Sequence, residues 1–499
     1  MPPKKKTTLP GSLLPPKSGV RIRMYNTGFG DCFLLAFPAG QGGVFYMLID
    51  CGVHHRFEDG DLQIQKVARD IAAATGSHLD LVVITHEHTD HTWGFRHAQE
   101  IFNQIKIDNL WLGWTEDPDD KLAQLLKQLY GKQVAGLTAA IEKLKQADKA
   151  FAMELQSLFE FEPAAVVQPL SGGRIDEMEF LRQKSLKKLI RSKDYRQPGE
   201  APISLPGVKG VKVFVLGPPK DKDLIKIMDK ASELYLTSLA VDETSSFAVA
   251  AQAADHQEDD QPWVALHCPF DVSNGIPASE AASHPDFKDF YKQFYGFSAE
   301  PGQAAAWRRI DYDWLMSAEQ LALSINAKTN NTSLVLAIEL NAEQVLLFAA
   351  DAQVGNWLSW QKLEWPGQGS AGQTLTGADL LNRAVFYKVG HHGSRNATLS
   401  HKGLEMMTDP DLVAMIPVNE KWARDVMDWE HPAPAVLTPL LEKTRGRVIR
   451  MDEIPTGDAP PARPENTSPE LWQEFTNRLN WDHSPEHLWV EYTFETDQT

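Results

Sequence analysis

The chain has 499 residues, 42% hydrophobic and 9% aromatic, with 67 acidic residues against 49 basic ones and a formal net charge of −18. That apolar content supplies a core and excludes a disordered chain, while the acidic balance disfavours extended binding along a phosphate backbone. Three cysteines in no CxxC pair fit a reducing compartment, and no apolar run approaches the roughly 20 residues needed to span a bilayer, so no membrane partner is expected.

Residues 1–18, "MPPKKKTTLPGSLLPPKS", read as a flexible tail without the apolar segment of a signal peptide, and a cytoplasmic location is expected. From 19 to 115 strand and helix patterns alternate. "GVRIRMYNT" alternates polar with apolar residues, and "DCFLLAFPA" and "GVFYMLIDCG" are apolar runs. "LQIQKVARDIAAATG" has helical spacing closed by Gly76. "LDLVVIT" then reads as a buried strand, "GFRHAQEIFNQI" as a helix and "IDNLWLGW" as a strand. Such alternation argues α/β layers.

From about 119 to 200 the periodicity turns helical, rich in Ala, Leu, Lys and Gln. This stretch is expected to form a lobe beside the functional cleft rather than part of the sheets. "GVKVFVLGPP" at 210–219 returns to a strand, 243–262 read as a polar loop, and 263–329 show no clear pattern. Strands resume with "TSLVLAIEL", "EQVLLFAAD", "AVFYKVG", "DLVAMIPV" and "GRVIRMD". A proline-rich connector, a short helix and a last strand, "HLWVEYTFE", follow. The plan is one α/β domain over 19–455, with a largely helical insertion within 119–329 and a C-terminal extension over 456–499.

The chemistry concentrates in "VVITHEHTDHTWGF", residues 82–95. His86 and His88 are two apart, so an extended backbone can point both rings the same way. Asp90 and His91 follow as a helix begins. One metal ion could take His86 and His88, another Asp90 and His91; imidazole with carboxylate suits Zn²⁺, and also Mn²⁺ or Fe. An HExxH helix is excluded, because Asp90 stands where the second histidine would be. Gly28-x-Gly30 lacks the third glycine of a dinucleotide fingerprint and reads as a tight turn.

His86-x-His88-x-Asp90-His91 resembles the HxHxDH signature of metallo-β-lactamase fold hydrolases. In the same order, "LIDCG" with Asp50, "LLFAADAQ" with Asp351 and "FYKVGHHGS" with His391 resemble that family's other motifs, over about 20–115 and 330–450. "TGFGDCFLLAF", "NNTSLVLAIE", "KVGHHGS" and "HPAP…RVIRMD" are similar to the hydrolase domain of ComEC-type competence proteins. The chain departs from those proteins in lacking a membrane channel, in reading "AAD" before the bridging position, and in its large insertion.

The resemblance implies a four-layer αββα sandwich and a dinuclear metal-dependent hydrolase. The metal ligands would be His86, His88, Asp90, His91, the bridging Asp351, and His391. Asp90 and Asp351 would also orient the attacking water, and His392 would assist the leaving group. Asp50, Asn330, Ser333 and Ser394 would support the ligands. Many relatives carry a third histidine where Asn330 falls, which implies a first metal site with fewer protein ligands; His267 is an alternative. A phosphodiester is the implied substrate, as a small molecule or in nucleic acid. The alternatives are a lactone, amide or thioester, or a metal-holding scaffold whose insertion binds a partner protein that the sequence does not specify.

Outside these motifs, His54 and His55 read as loop residues or as cleft lining. Arg182, Lys184, Lys187, Lys188, Arg191 and Lys193 form a basic cluster at helical spacing, read as a solvated face or as a phosphate contact, with Leu181, Leu186, Leu189 and Ile190 left to pack.

Overall fold

The structure, a computed structural model, describes residues 12–147, 177–189, 192–227, 283–295, 322, 325–455, 457–465 and 467–496. The first eleven residues of the expected tail, the loop at 243–262, His267, Ile190 and Arg191 lie outside them. The described residues fall into two compact units. One lies within Met1–Leu126, Glu160–Ala240 and Ala327–Thr499, the other within Lys127–Phe159 and Val241–Asn326.

In the first unit, strands β1 (Gly19–Tyr25), β2 (Phe33–Ala39) and β3 (Gly43–Ile49) form an antiparallel meander, and β4 (His78–Val83) and β5 (Lys106–Trp111) add in parallel to β3. Period-two alternation sends Val20, Ile22, Phe33 and Leu35 to one apolar cluster and Leu34, Ala36 and Leu48 to another. The second sheet is built from β6 (Ile203–Ser204), β7 (Lys212–Gly217), β8 (Val335–Glu339) and β9 (Val345–Phe348). A two-stranded hairpin, β10 (Glu364–Trp365) with β11 (Leu375–Thr376), stands apart. Then β12 (Ala384–Lys388), β13 (Val413–Ile416) and β14 (Val448–Arg450) run parallel to β9.

Leu336, Ile338, Leu346 and Phe348 share a core with the first sheet's Phe33 and Leu35, so the two sheets face each other. The outer face of the first sheet carries the helices α1 (Gly60–Thr75) and α2 (Thr89–His97), through Ile64, Ile71 and Phe95. The outer face of the second carries helices Val354–Trp360, Gly377–Asn382 and Glu420–Met427, through Trp357, Leu380 and Ala423. Helix, sheet, sheet and helix make the four expected layers.

Three stretches sit differently from their sequence reading. Residues 456–499, set apart as an extension, supply β15 (Leu479–Trp481) and β16 (Trp489–Glu495), and β16 pairs with β1 from Gly19↔Glu495 to Tyr25↔Trp489. The pairing covers an edge that would otherwise expose a row of unpaired amides. Within 119–329, β7 is an interior strand of the second sheet. Within 119–200, the helix Glu177–Lys184 buries Met178, Phe180 and Leu181 in the cluster that holds α2, while Leu186 N and Lys187 N donate to the β5 carbonyls of Ile107 and Asp108. The backbone therefore leaves helical spacing after Lys184, and Leu186 points to solvent. In the second unit the described elements are the helix Lys288–Tyr295 and the helix Lys121–Ala147 from residue 127 onward.

Candidate metal centre

One edge of the sandwich gathers the ligand-type residues, because strand direction puts them there. β3 and β4 are parallel, and so are β9 and β12; their carboxyl ends lead into Asp50, His86, Asp351 and His391. β2 and β8 run antiparallel to β3 and β9, so the residues before them, Asp31 and Ser333, arrive at the same edge. Two glycines permit the close approach. A Cβ on Gly30, at φ +152°, would lie 2.7 Å from Asp90 O, and one on Gly52 would lie 2.2 Å from His91 N. The loops they carry hold the histidine turn by backbone, Asp31 N donating to Asp90 O (2.8 Å) and Cys51 N to His91 O (2.9 Å).

Asp90, His91, Asp351 and His392 bring one ligand atom each into a group spanning no more than 4.8 Å, all buried. His91 Nε2 lies 3.1 Å from Asp351 Oδ2 and 3.7 Å from Asp90 Oδ2. His91 Nε2, Asp90 Oδ1 and Asp351 Oδ2 are buried without a hydrogen-bond partner. Such atoms are costly to leave unsatisfied, and a cation among them removes the cost. The electrostatics agree. Burial opposes charge on His91, but Asp351, Asp90, Asp31 and Asp50 outweigh it and push its pKa well above the ordinary value. Burial likewise opposes ionisation of Asp90 and Asp351, yet His91, with His392 for Asp90 and Lys388 for Asp351, holds both carboxyls below the usual range. These residues fit a divalent cation.

Asp50 lies behind the histidine turn. Its Oδ2 accepts from His91 Nδ1 at 2.8 Å and from Thr85 Oγ1 at 2.7 Å, and its Oδ1 accepts from Thr85 N at 2.8 Å. A carboxylate only accepts, so Nδ1 carries a hydrogen, and Nε2 is the nitrogen that would give up its proton to take a metal. His86 Nε2 and His88 Nδ1 converge at 3.0 Å. Burial first, then His91 and His88, holds His86 well below the ordinary imidazole pKa, in the neutral form a ligand needs. Ser333 Oγ lies 3.4 Å from His86 Nδ1. Asn330 is fully buried, with neither amide atom hydrogen-bonded. Among the described residues, His86 and His88 form a pair rather than part of a larger ligand group.

The structure differs from the sequence reading at the second histidine motif. His392, not His391, belongs to the four-atom group, with Nε2 2.9 Å from Asp90 Oδ2 and Nδ1 2.7 Å from Pro417 O. Both residues adopt left-handed backbone, φ 45° and 51°, in a tight turn that brings the second ring inward. Phe29 packs on that ring at 4.2 Å between centroids, backed by Trp422 and Trp429. His391 instead lies beside His431 at 5.6 Å, and its backbone N donates to Asp351 Oδ1. Ser394 builds the turn: its N donates to His391 O and its Oγ to Asn396. His54 and His55 stack on each other, with His54 against Trp422 and His55 against Trp93.

Residues 25–136 match the family model of the metallo-beta-lactamase superfamily. No curated protein and no solved structure matches the chain. The match takes in β2 to β5 and the histidine turn at the edge of the first sheet. Members of this superfamily are generally hydrolytic metalloenzymes that bind two metal ions, and the buried His/Asp groups are compatible with that chemistry. Among the described residues no helix is long and apolar enough to cross a membrane.

One residue at this site escaped the sequence reading. Lys388, the last residue of β12, is 1% exposed, and its ammonium reaches Ala350 O (3.0 Å), Asp351 Oδ1 (3.2 Å) and Asp31 Oδ2. Burial would lower its pKa, but Asp31 and Asp351 hold it above the ordinary lysine value. The available signal was a lysine closing the apolar strand "AVFYK" directly before the histidine motif. Three residues of the basic cluster, by contrast, are engaged locally. Lys188 Nζ donates to the carbonyls of Arg182 and Gln183, Lys184 Nζ to Asn103 O, and Arg182 pairs with Glu116.

Proposed function

We propose that the protein is a dinuclear metal-dependent phosphodiesterase of cytoplasmic location. The observation that carries the reading is the set of buried atoms His91 Nε2, Asp90 Oδ1 and Asp351 Oδ2, none of them hydrogen-bonded, converging beside His392. Asp90, His91 and His392 would hold one cation, His86 and His88 the other, and Asp351 would serve both. Zn²⁺ suits this nitrogen and carboxylate set best, with Mn²⁺ or Fe as alternatives. Bound divalent cations polarise the substrate oxygen and lower the pKa of water toward neutrality.

The chain's own groups do the positioning. Asp50 sets the His91 tautomer, Pro417 O and Phe29 orient His392, and Ser333 steadies His86. His392 would then act as a ligand, in place of the leaving-group role expected of it. The phosphodiester reading is supported by the ComEC-like motifs and by charge. Asp31, Asp50, Asp90 and Asp351 outnumber Lys388 by three, and two divalent cations leave a single positive charge for an anionic substrate. The acidic surface acts over a Debye length of about 8 Å and does not exclude a short substrate from such a cleft.

Elemental analysis should find two Zn, Mn or Fe ions per chain in wild type and at least one fewer in Asp351→Ala. Cleavage of bis-p-nitrophenyl phosphate or a short single strand should require metal and vanish in His88→Ala. Failure of metal-free protein to take up any of the three ions overturns the reading. Hydrolysis of a lactone, amide or thioester without phosphodiesterase activity replaces the substrate class.

A further inference from the structure

Lysine is almost never fully buried unless paired, since removing an ammonium from water is costly. Lys388 lies on the inner face of the sandwich, next to Tyr387, which faces the helical layer. Its three N–H donors meet three acceptors, one from the first sheet's Asp31 and two from the loop after β9. Asp351 Oδ1 thus accepts from both Lys388 Nζ and His391 N, while Asp351 Oδ2 is left facing His91 Nε2. Asp31, meanwhile, grips the histidine turn through its own N–H to Asp90 O.

Resting on the metal-centre reading, we propose that Asp31 and Lys388 act as a positioning pair. Asp31 anchors the ammonium, the ammonium occupies Asp351 Oδ1, and Oδ2 alone is presented to the cations. The pair also links the glycine loop, the histidine turn and the Asp351 loop at one point. An ion pair that merely joined the sheets would affect folding but not metal affinity. A positioning pair acts as a unit, so losing either member should cost what losing both costs.

The test uses the full chain as wild type, Asp31→Asn, Lys388→Met, Lys388→Arg and the Asp31→Asn/Lys388→Met double variant. Zn²⁺ affinity is read by competition with a chromophoric chelator, bound ions by elemental analysis, and folding by circular dichroism. Each single variant should bind Zn²⁺ about 10- to 100-fold more weakly, the size seen when groups behind metal ligands are removed. The double variant should be no worse than either single, and Lys388→Arg should not restore affinity, because a planar guanidinium cannot reproduce the three-way contact. Wild-type affinity in folded Asp31→Asn, or additive losses in the double variant, overturns the proposal. If Lys388→Met does not fold, the near-isosteric Asp31→Asn and the charge-keeping Lys388→Arg decide it. A wild type that binds no metal refutes the metal-centre reading itself, whereas a wild type and variants that bind alike refute only the pair.

Discussion

Asp50→Asn isolates the link between hydrogen bonding and metal affinity, because it changes one atom of a fully buried side chain. The carboxylate accepts from Thr85 N, Thr85 Oγ1 and His91 Nδ1, at 2.7–2.8 Å. An asparagine can keep its oxygen toward Thr85 N, but its amide then faces His91 Nδ1–H, donor against donor. Imidazole escapes the clash by moving its hydrogen to Nε2, the atom 3.1 Å from Asp351 Oδ2. That removes the lone pair a cation would use. Loss of such a partner costs about 10- to 100-fold in metal affinity, or about 1.4–2.7 kcal/mol. Stability without metal should fall by about 1 kcal/mol, because a buried hydrogen bond to a carboxylate is exchanged for one to a neutral amide. Competition against a chelator gives the affinity, and urea unfolding of metal-stripped protein gives the stability. Asp50→Asn with wild-type Zn²⁺ affinity would refute the tautomer argument.

Tyr387→Phe should lose about 1 kcal/mol, because the hydroxyl meets Thr398 Oγ1 at 2.8 Å and accepts from Gly390 N at 3.2 Å. Burial pushes this hydroxyl's pKa up to about 12, so the folded state keeps a proton that the unfolded chain releases near pH 10. Its contribution is complete below pH 10 and is lost as pH rises toward 12; the gap between wild type and variant in urea unfolding should shrink across that window, and a constant gap would contradict it. Lys187→Glu/Lys188→Glu should leave turnover of bis-p-nitrophenyl phosphate and of a single strand within about twofold, because Lys188 is engaged at a helix end. Loss of strand cleavage alone would put this cluster in contact with the strand.

Much of this protein was determined by sequence alone. Period-two apolar runs mark the strands, and helical spacing closed by Gly76 marks α1, which ends there with Gly76 in the left-handed conformation. The ligand types following a buried strand in "VVITHEHTDH" locate the histidine turn, since local composition decides where polar groups interrupt a core strand. Tertiary structure decided what depends on distant partners. His391 and His392 are chemically identical neighbours, and which of them joins the four-atom group rests on a left-handed turn and on Pro417 O, just past β13. Lys388 reads as a polar strand end until Asp31, from the opposite sheet, accounts for its burial. The last strand reads as an appendage until β1 presents an edge for it to cover. In each case the deciding interaction joins residues far apart in the chain, and pairing of that kind leaves no periodic trace in the sequence.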